Sequence, residues 1–260
     1  MRIVHDFMNK GSSVRDMFGR IAGRYDAANS VMTGGMDARW RARAVGLLAV
    51  GRQANILDAC CGTGALARAA ARAVPDGGVV GIDFSEPMLR AARARRGPPN
   101  VSYVEGDVLA LPFRNAEFDG ATMGFSMRNV VDIEACLREL ARVLKPGARF
   151  VNLEVSRPTN PLWRRMFSAY FFGMVPIIGG IVGGDLAAYR YLPQSLVNFP
   201  DPPELARLFA SNGFTNVRYI GLMGGISTLH VGERAPVVVA PAKPVPEPLT
   251  PAPPQTHIEV

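Results

Sequence analysis

The chain has 260 residues, 48% hydrophobic and 20% charged, which is the composition of a soluble globular protein with one core, at most two. Its three cysteines, Cys60, Cys61 and Cys136, exclude a disulfide framework and match no zinc spacing, so a reduced, intracellular protein is expected. The formal charge of +7 is carried almost entirely by arginine, since only Lys10, Lys145 and Lys243 are lysines. No basic stripe is interleaved with aromatics, which argues against nucleic-acid binding and leaves weak attraction to anionic lipid as the better use of the excess charge.

Residues 1–13 lack the apolar stretch of a secretory signal, and a helical region is expected to about residue 50. From there the chain alternates. Short β-branched runs occur at Ala54–Ala59, Gly78–Phe84, Val101–Asp107, Phe118–Phe125 and Ala148–Val155. Helical periodicity separates them, with Leu66, Ala70 and Ala73, then Met88, Leu89 and Ala92, then Ile133, Leu137, Leu140 and Leu144 each on one face. Arg90, Arg93, Arg95 and Arg96 close the second of these helices, where cations suit the helix dipole; Asp132 is placed to cap the third. Two last runs, Phe214–Leu222 and Ser227–Arg234, flank a Met-Gly-Gly-Ile turn and predict an antiparallel hairpin at the sheet edge. The fold class is therefore α/β, a mainly parallel, Rossmann-like sheet with helices on both faces.

Two segments stand outside this pattern. An apolar insertion covers about residues 158–198, and within it Met166–Gly184 is a run of 19 uncharged residues. Five glycines and Pro176 interrupt the run, so a broken, mobile cover at a membrane surface is expected in preference to a span, with Trp163, Arg164, Arg165, Phe167, Tyr170 and Phe171 suited to the interface. Val14, Phe18, Ile21 and Tyr25 are expected in the same cover. The segment 235–260 holds eight prolines and no apolar period, and is expected to be a disordered tail.

The chemistry concentrates at Asp58-Ala-Cys-Cys-Gly62-Thr63-Gly64, which ends the first strand. Small residues there let the backbone turn and approach a ligand before the next helix exposes its N–H groups. Gly62-x-Gly64-x-x-Ala67 satisfies a loose dinucleotide fingerprint, which alone is weak. Asp83, ending the second strand, is placed to accept ribose hydroxyls; Asp107, ending the third, is placed to accept an adenine amino proton. Three carboxylates at consecutive strand ends oppose a pyrophosphate and suit a cation, so S-adenosylmethionine is the expected cofactor and a nicotinamide nucleotide the weaker alternative. No metal-ligand cluster is visible.

The sequence also resembles the UbiE/COQ5/MenG family of C-methyltransferases, from about Val14 to Arg234. The resemblance rests on Phe18-x-x-Ile21-Ala22-x-x-Tyr25-Asp26-x-x-Asn29, Thr33-x-Gly35 and Trp40-Arg41, and on Gly124-Phe-Ser-Met-Arg128-Asn129-Val130-Val-Asp132. Glu154-Val-Ser156-Arg157-Pro158, Tyr191-Leu192-Pro193-Gln194-Ser195 with Phe199-Pro200, and Gly224-Gly225-Ile226 with His230-x-Gly232 complete it. Ala28, Thr33 and Ser126 stand where the family usually has methionine, serine and glycine.

That resemblance implies a seven-stranded methyltransferase fold and methylation of a ring carbon of a polyprenyl quinol in respiratory quinone synthesis. It implies cofactor contacts from Thr63, Asp83, Asp107 and Val108, and a closing loop at Gly124 and Ser126. Asp58, Gly62 and Gly64 join the cofactor set. The reaction requires an ionised hydroxyl beside the nucleophilic carbon, a ring held about 3–3.5 Å from the methyl, and exclusion of water. Candidate groups are Tyr25 with Asp26 as a lid dyad, Arg128 with Asn129 beside a quinolate, and His230 for its intrinsic pKa. The proton acceptor, the benzoquinol or naphthoquinol ring and the oligomeric state, a homodimer included, stay open at this point. Another lipid or small-molecule acceptor, and an inactive scaffold in a quinone-synthesis complex, are the competing readings.

Overall fold

The structure is a computed structural model that describes residues 14–236. The prolines of the tail beyond 236, and residues 1–13, lie outside the described residues.

A helix over residues 14–21 (α1) is followed by Tyr25–Met32 (α2) and Met36–Leu48 (α3). The alternating part comprises Asn55–Ala59 (β1), Ala65–Ala73 (α4), Gly78–Asp83 (β2), Glu86–Ala94 (α5), Val101–Glu105 (β3), Phe118–Gly124 (β4), Ile133–Val143 (α6) and Leu144–Val155 (β5). The strands form one seven-stranded sheet in the order β3-β2-β1-β4-β5-β7-β6, where β6 is Phe214–Leu222 and β7 is Ser227–Arg234. β1 to β5 pair in parallel, and β7 pairs antiparallel to both β5 and β6. The expected hairpin is present, but β7 threads between β5 and β6, so β6 alone is the edge.

Strand periodicity divides the core between the two faces. In β1, Ile56 joins a cluster with Trp40, Ala44 and Leu48 of α3 and Leu66, Ala67 and Ala70 of α4. Its neighbour Leu57 joins the opposite cluster with Met88 of α5 and Leu137 and Leu140 of α6. Asp132 caps α6 by accepting from the Ala135 N–H at 2.9 Å, as its position predicts.

The insertion folds as Pro161–Ser168 (α7), a π-helical turn over Ala169–Met174, Val175–Gly183 (α8) and Leu186–Val197 (α9), before Pro202–Ser211 (α10) leads to β6. The expected break at Pro176 does not occur. Proline lacks an N–H and clashes with the carbonyl four residues back, and the wider turn immediately before it accommodates both defects. The glycines serve close packing: a Cβ at Gly179 or Gly183 would fall 2.1–2.2 Å from the ring of buried Tyr189 on α9. Phe167, Phe171 and Val175 turn inward onto the core.

Candidate active site

The strand order reverses between β1 and β4, since β2 and β3 lie to one side and β5 to the other, and a crevice opens at their carboxyl ends. The loop after β1 enters it through left-handed backbone at Cys60, Gly62 and Gly64. Gly64 is required twice: its φ is +74°, and a Cβ there would meet the Tyr103 hydroxyl at 2.3 Å. The Gly62 N–H donates to Asp83 Oδ2 at 2.8 Å while the Ser85 N–H donates to Asp83 Oδ1 at 2.9 Å, so the end of β2 fixes the glycine turn.

A cavity of about 160 Å³ occupies this crevice, and it gathers most of the expected cofactor set: Asp58, Gly62, Thr63, Asp83, Asp107, Val108 and Gly124. Gly64 shapes the loop from behind and is not in the wall. Asp58 is fully buried; its Oδ1 accepts from the Thr122 hydroxyl at 2.8 Å, and its Oδ2 has no partner. Burial pushes its pKa up to about 7, and burial likewise raises Asp83 to about 6. Asp107 accepts from the Leu109 N–H at 2.9 Å. Asn129 lines the same cavity with a buried, unpartnered Oδ1. An acidic wall with orphaned acceptors is suited to a ligand bearing positive charge and N–H donors, and is unsuited to a pyrophosphate.

The N-terminal helices form the cavity's cover. Val14, Phe18, Tyr25 and Asp26 line it, and Phe18 meets Tyr25 edge-on at 5.8 Å between ring centres. Asp26 accepts from the Thr63 hydroxyl at 2.5 Å and lies 3.2 Å from Arg95 and 3.9 Å from Arg68. Arg95 therefore clasps the cover to the end of α5, a role that its place in a run of arginines at a helix end concealed.

A second, larger cavity of about 390 Å³ lies beside the first, and Tyr25 and Phe125 line both. Its walls are mainly apolar and aromatic: Trp40, Val155, Trp163, Phe167, Tyr170 and Phe171 among them. Arg128 lines it and is held in place through its Nε and Nη1. Its guanidinium forms a buried ion pair with Glu154, donates to the Phe125 carbonyl at 2.7 Å, and donates to Ser195 Oγ at 3.1 Å. Arg128 is thus a fixed positive charge at the wall, and Glu154, present in a recognised motif without a role, is what holds it.

His230 is corrected. It is 2% exposed and lines neither cavity; its ring lies against Phe209 and Tyr219, and its Nε2–H donates to the Pro202 carbonyl at 2.9 Å. Its position in β7 directs it to the α10 side of the sheet, where burial lowers its pKa to about 4. It cannot reach an acceptor in either cavity. Among the described residues no cluster of His, Cys, Asp and Glu is arranged to hold a metal.

The fold and crevice define a Rossmann-like methyltransferase. A Thermotoga maritima SAM-dependent methyltransferase structure superposes with a TM-score of 0.61 at 20% identity, covering 84% of this chain and 99% of that one. The [4+2]-cyclase SpnF also superposes, with a TM-score of 0.60 at 15% identity over 84% of this chain and 94% of that one, so the fold alone does not fix the reaction. Residues 7–234 match the ubiE/COQ5 methyltransferase family, and the chain belongs to that family. It is similar to the demethylmenaquinone methyltransferase of Thermus thermophilus, at 43% identity over 84% of this chain and all of the relative. The Staphylococcus saprophyticus protein of the same name is 40% identical over 86% of this chain and 97% of its own length.

Proposed function

We propose that this enzyme methylates a ring carbon of demethylmenaquinol, with S-adenosylmethionine as cosubstrate, in menaquinone synthesis. The observation that carries this reading is the meeting of an acidic, polar cavity with a larger aromatic one across Tyr25 and Phe125. The first fits the cosubstrate: Asp83 is suited to the ribose, Asp107 and Val108 to the adenine, and Thr63 with the glycine turn to the amino-acid end. The orphaned Asp58 Oδ2 and Asn129 Oδ1 are acceptors that such a ligand would satisfy. When bound, the cosubstrate supplies an electrophilic methyl group on a sulfonium.

The chain's own residues do the rest. Tyr25 and Phe125 bring the ring of the acceptor to the boundary between the cavities. Phe18, Tyr25 and Asp26 close over the first cavity and exclude water. Arg128, held by Glu154, gives the acceptor cavity a fixed positive potential that favours an ionised hydroxyl.

The isoprenoid chain has an exit along the insertion. Met166 and Trp163 line the aromatic cavity, and the same helical stretch exposes Leu162, Met174, Ile177 and Ile181 outward. By length and composition Pro161–Gly183 is apolar enough to cross a membrane, but Phe167, Phe171 and Val175 are packed into the protein. We place this stretch on the cytoplasmic membrane surface, with Arg164 and Arg165 toward the headgroups. The proposed domain division has residues 14–50 of the expected N-terminal region 1–50, with 158–198, covering a methyltransferase unit that ends near residue 234.

The test is incubation of the pure protein with deuteromethyl-labelled S-adenosylmethionine and demethylmenaquinol in lipid vesicles. The reading requires labelled menaquinol. A labelled product from another lipid, with demethylmenaquinol untouched, would move the assignment to another acceptor.

A further inference from the structure

We infer that Asp37 takes the proton from the acceptor's ring hydroxyl. This deepens the demethylmenaquinol reading and rests on it.

Asp37 lies in the first turn of α3 and is 7% exposed, and among the described residues it is the only carboxylate lining the aromatic cavity. The other polar groups of that wall are poor proton acceptors. Arg128 offers only donors and no acceptor; its Nε and Nη1 are directed at Ser195, Phe125 and Glu154. Burial raises the pKa of Tyr25 and of Tyr170, so both phenols stay protonated.

The two oxygens of Asp37 differ. Oδ2 pairs with Arg41 one turn along the helix. Oδ1 lies 3.2 Å from Thr33 Oγ1, but that hydroxyl has one hydrogen and a closer acceptor, the Asn29 carbonyl at 2.8 Å. Oδ1 is left as an acceptor without a committed donor, inside an apolar wall, which is a costly arrangement unless a ligand O–H fills it. Arg41 lines the cosubstrate cavity and lies 5.8 Å from the centre of the Phe125 ring. The Asp37–Arg41 pair therefore spans the boundary between the cavities, carboxylate toward the acceptor and guanidinium toward the cosubstrate.

The step balances as follows. The hydroxyl proton passes to Asp37 as the adjacent ring carbon forms its bond to the methyl carbon. The electron pair of the breaking carbon–sulfur bond stays on sulfur, which becomes a neutral thioether. The methylated ring carbon then loses its own proton to water while the ring oxygen recovers one from Asp37, restoring the aromatic quinol; one proton is released in total.

The test uses 3-geranyl-1-naphthol, which is free at the carbon beside the hydroxyl, and its O-methyl ether, which has no proton to give. Titrated against the full-length protein without cosubstrate, the naphthol is expected to bind about ten-fold or more tightly than the ether, and Asp37→Asn to reduce that preference to about three-fold or less. In turnover, Asp37→Asn is expected to lower kcat about a hundred-fold on the naphthol, with much of the loss recovered on a chlorinated, more acidic naphthol. Equal binding of naphthol and ether to the wild type, with methylation intact, overturns the role of Asp37 alone and needs no variant to fold. An unchanged deficit across acceptors of different acidity does the same. Failure of the wild type to bind or methylate either compound overturns the naphthoquinol reading together with this inference.

Discussion

Thr63 of the glycine loop donates its hydroxyl hydrogen to Asp26 of α2 at 2.5 Å, so the cover is bolted to the cofactor loop by residues 37 positions apart. Because Arg95 and Arg68 also converge on Asp26, the contact is a small network. Asp26→Ala is expected to weaken S-adenosylmethionine binding about ten-fold and to open residues 22–35 to proteolysis. Thr63→Ala is expected to act in the same direction, with the double variant less than additive because both remove one interaction. Calorimetric titration of the three variants checks this.

Arg128 and Glu154 are each almost wholly buried, and removing one partner strands the other's charge. Arg128→Met is expected to cost about 3–5 kcal/mol of stability. Arg128→Met with Glu154→Leu is expected to recover most of that loss while kcat stays low, because the positive potential of the acceptor cavity is gone. Thermal denaturation beside steady-state kinetics separates the two effects. If the double variant regains full turnover, Arg128 is structural only.

Asp58 and Asp83 have pKa values raised by burial to about 7 and about 6. A cationic ligand favours their ionised forms, so S-adenosylmethionine binding is expected to strengthen about ten-fold or more from pH 5 to pH 8 and to release protons near pH 6.5. The sign for stability is opposite. A carboxylate whose folded pKa lies above its unfolded value near 4 stabilises the fold at low pH and loses that contribution as pH rises through about 7. Asp58→Asn is therefore expected to raise the apo-protein's Tm at pH 8 by a few degrees, with little gain at pH 4, while weakening cosubstrate binding.

Much of this architecture was legible in the residues. Short β-branched runs located all seven strands; in β1 the neighbours Ile56 and Leu57 bury on opposite faces of the sheet. The end positions of Asp58, Asp83 and Asp107 then followed from the strand boundaries. What local pattern cannot encode is which distant residues meet. Glu154 and Arg128 are separated by 26 positions and Arg95 and Asp26 by 69, and neither pairing leaves a periodic trace. Gly179 and Gly183 were read as breaks because their partner, Tyr189, is recognisable only once α8 and α9 pack. Asp37, one turn before Arg41, carried an i,i+4 spacing that marks an ion pair but says nothing of the cavity it faces.

His230 shows the reverse error, in which a side chain suited to acid–base chemistry is directed away from it. Its folded pKa of about 4 lies below the usual histidine value, so protonation of the unfolded chain erodes stability as pH falls from about 6.5 toward 4. His230→Gln is expected to leave kcat within about two-fold and its pH profile unchanged. It is also expected to cost about 1 kcal/mol at pH 7 through the lost contact with the Pro202 carbonyl. Chemical denaturation at pH 5 and pH 7 checks the stability half.

Expression in a bacterial strain that accumulates demethylmenaquinone for want of its methyltransferase, with the quinone pool identified by mass, addresses the enzyme's acceptor in its own membrane. Conversion of demethylmenaquinone to menaquinone is the expected result, abolished by Asp58→Ala in the cosubstrate cavity. Persistence of demethylmenaquinone beside an expressed protein that still binds S-adenosylmethionine would contradict the account.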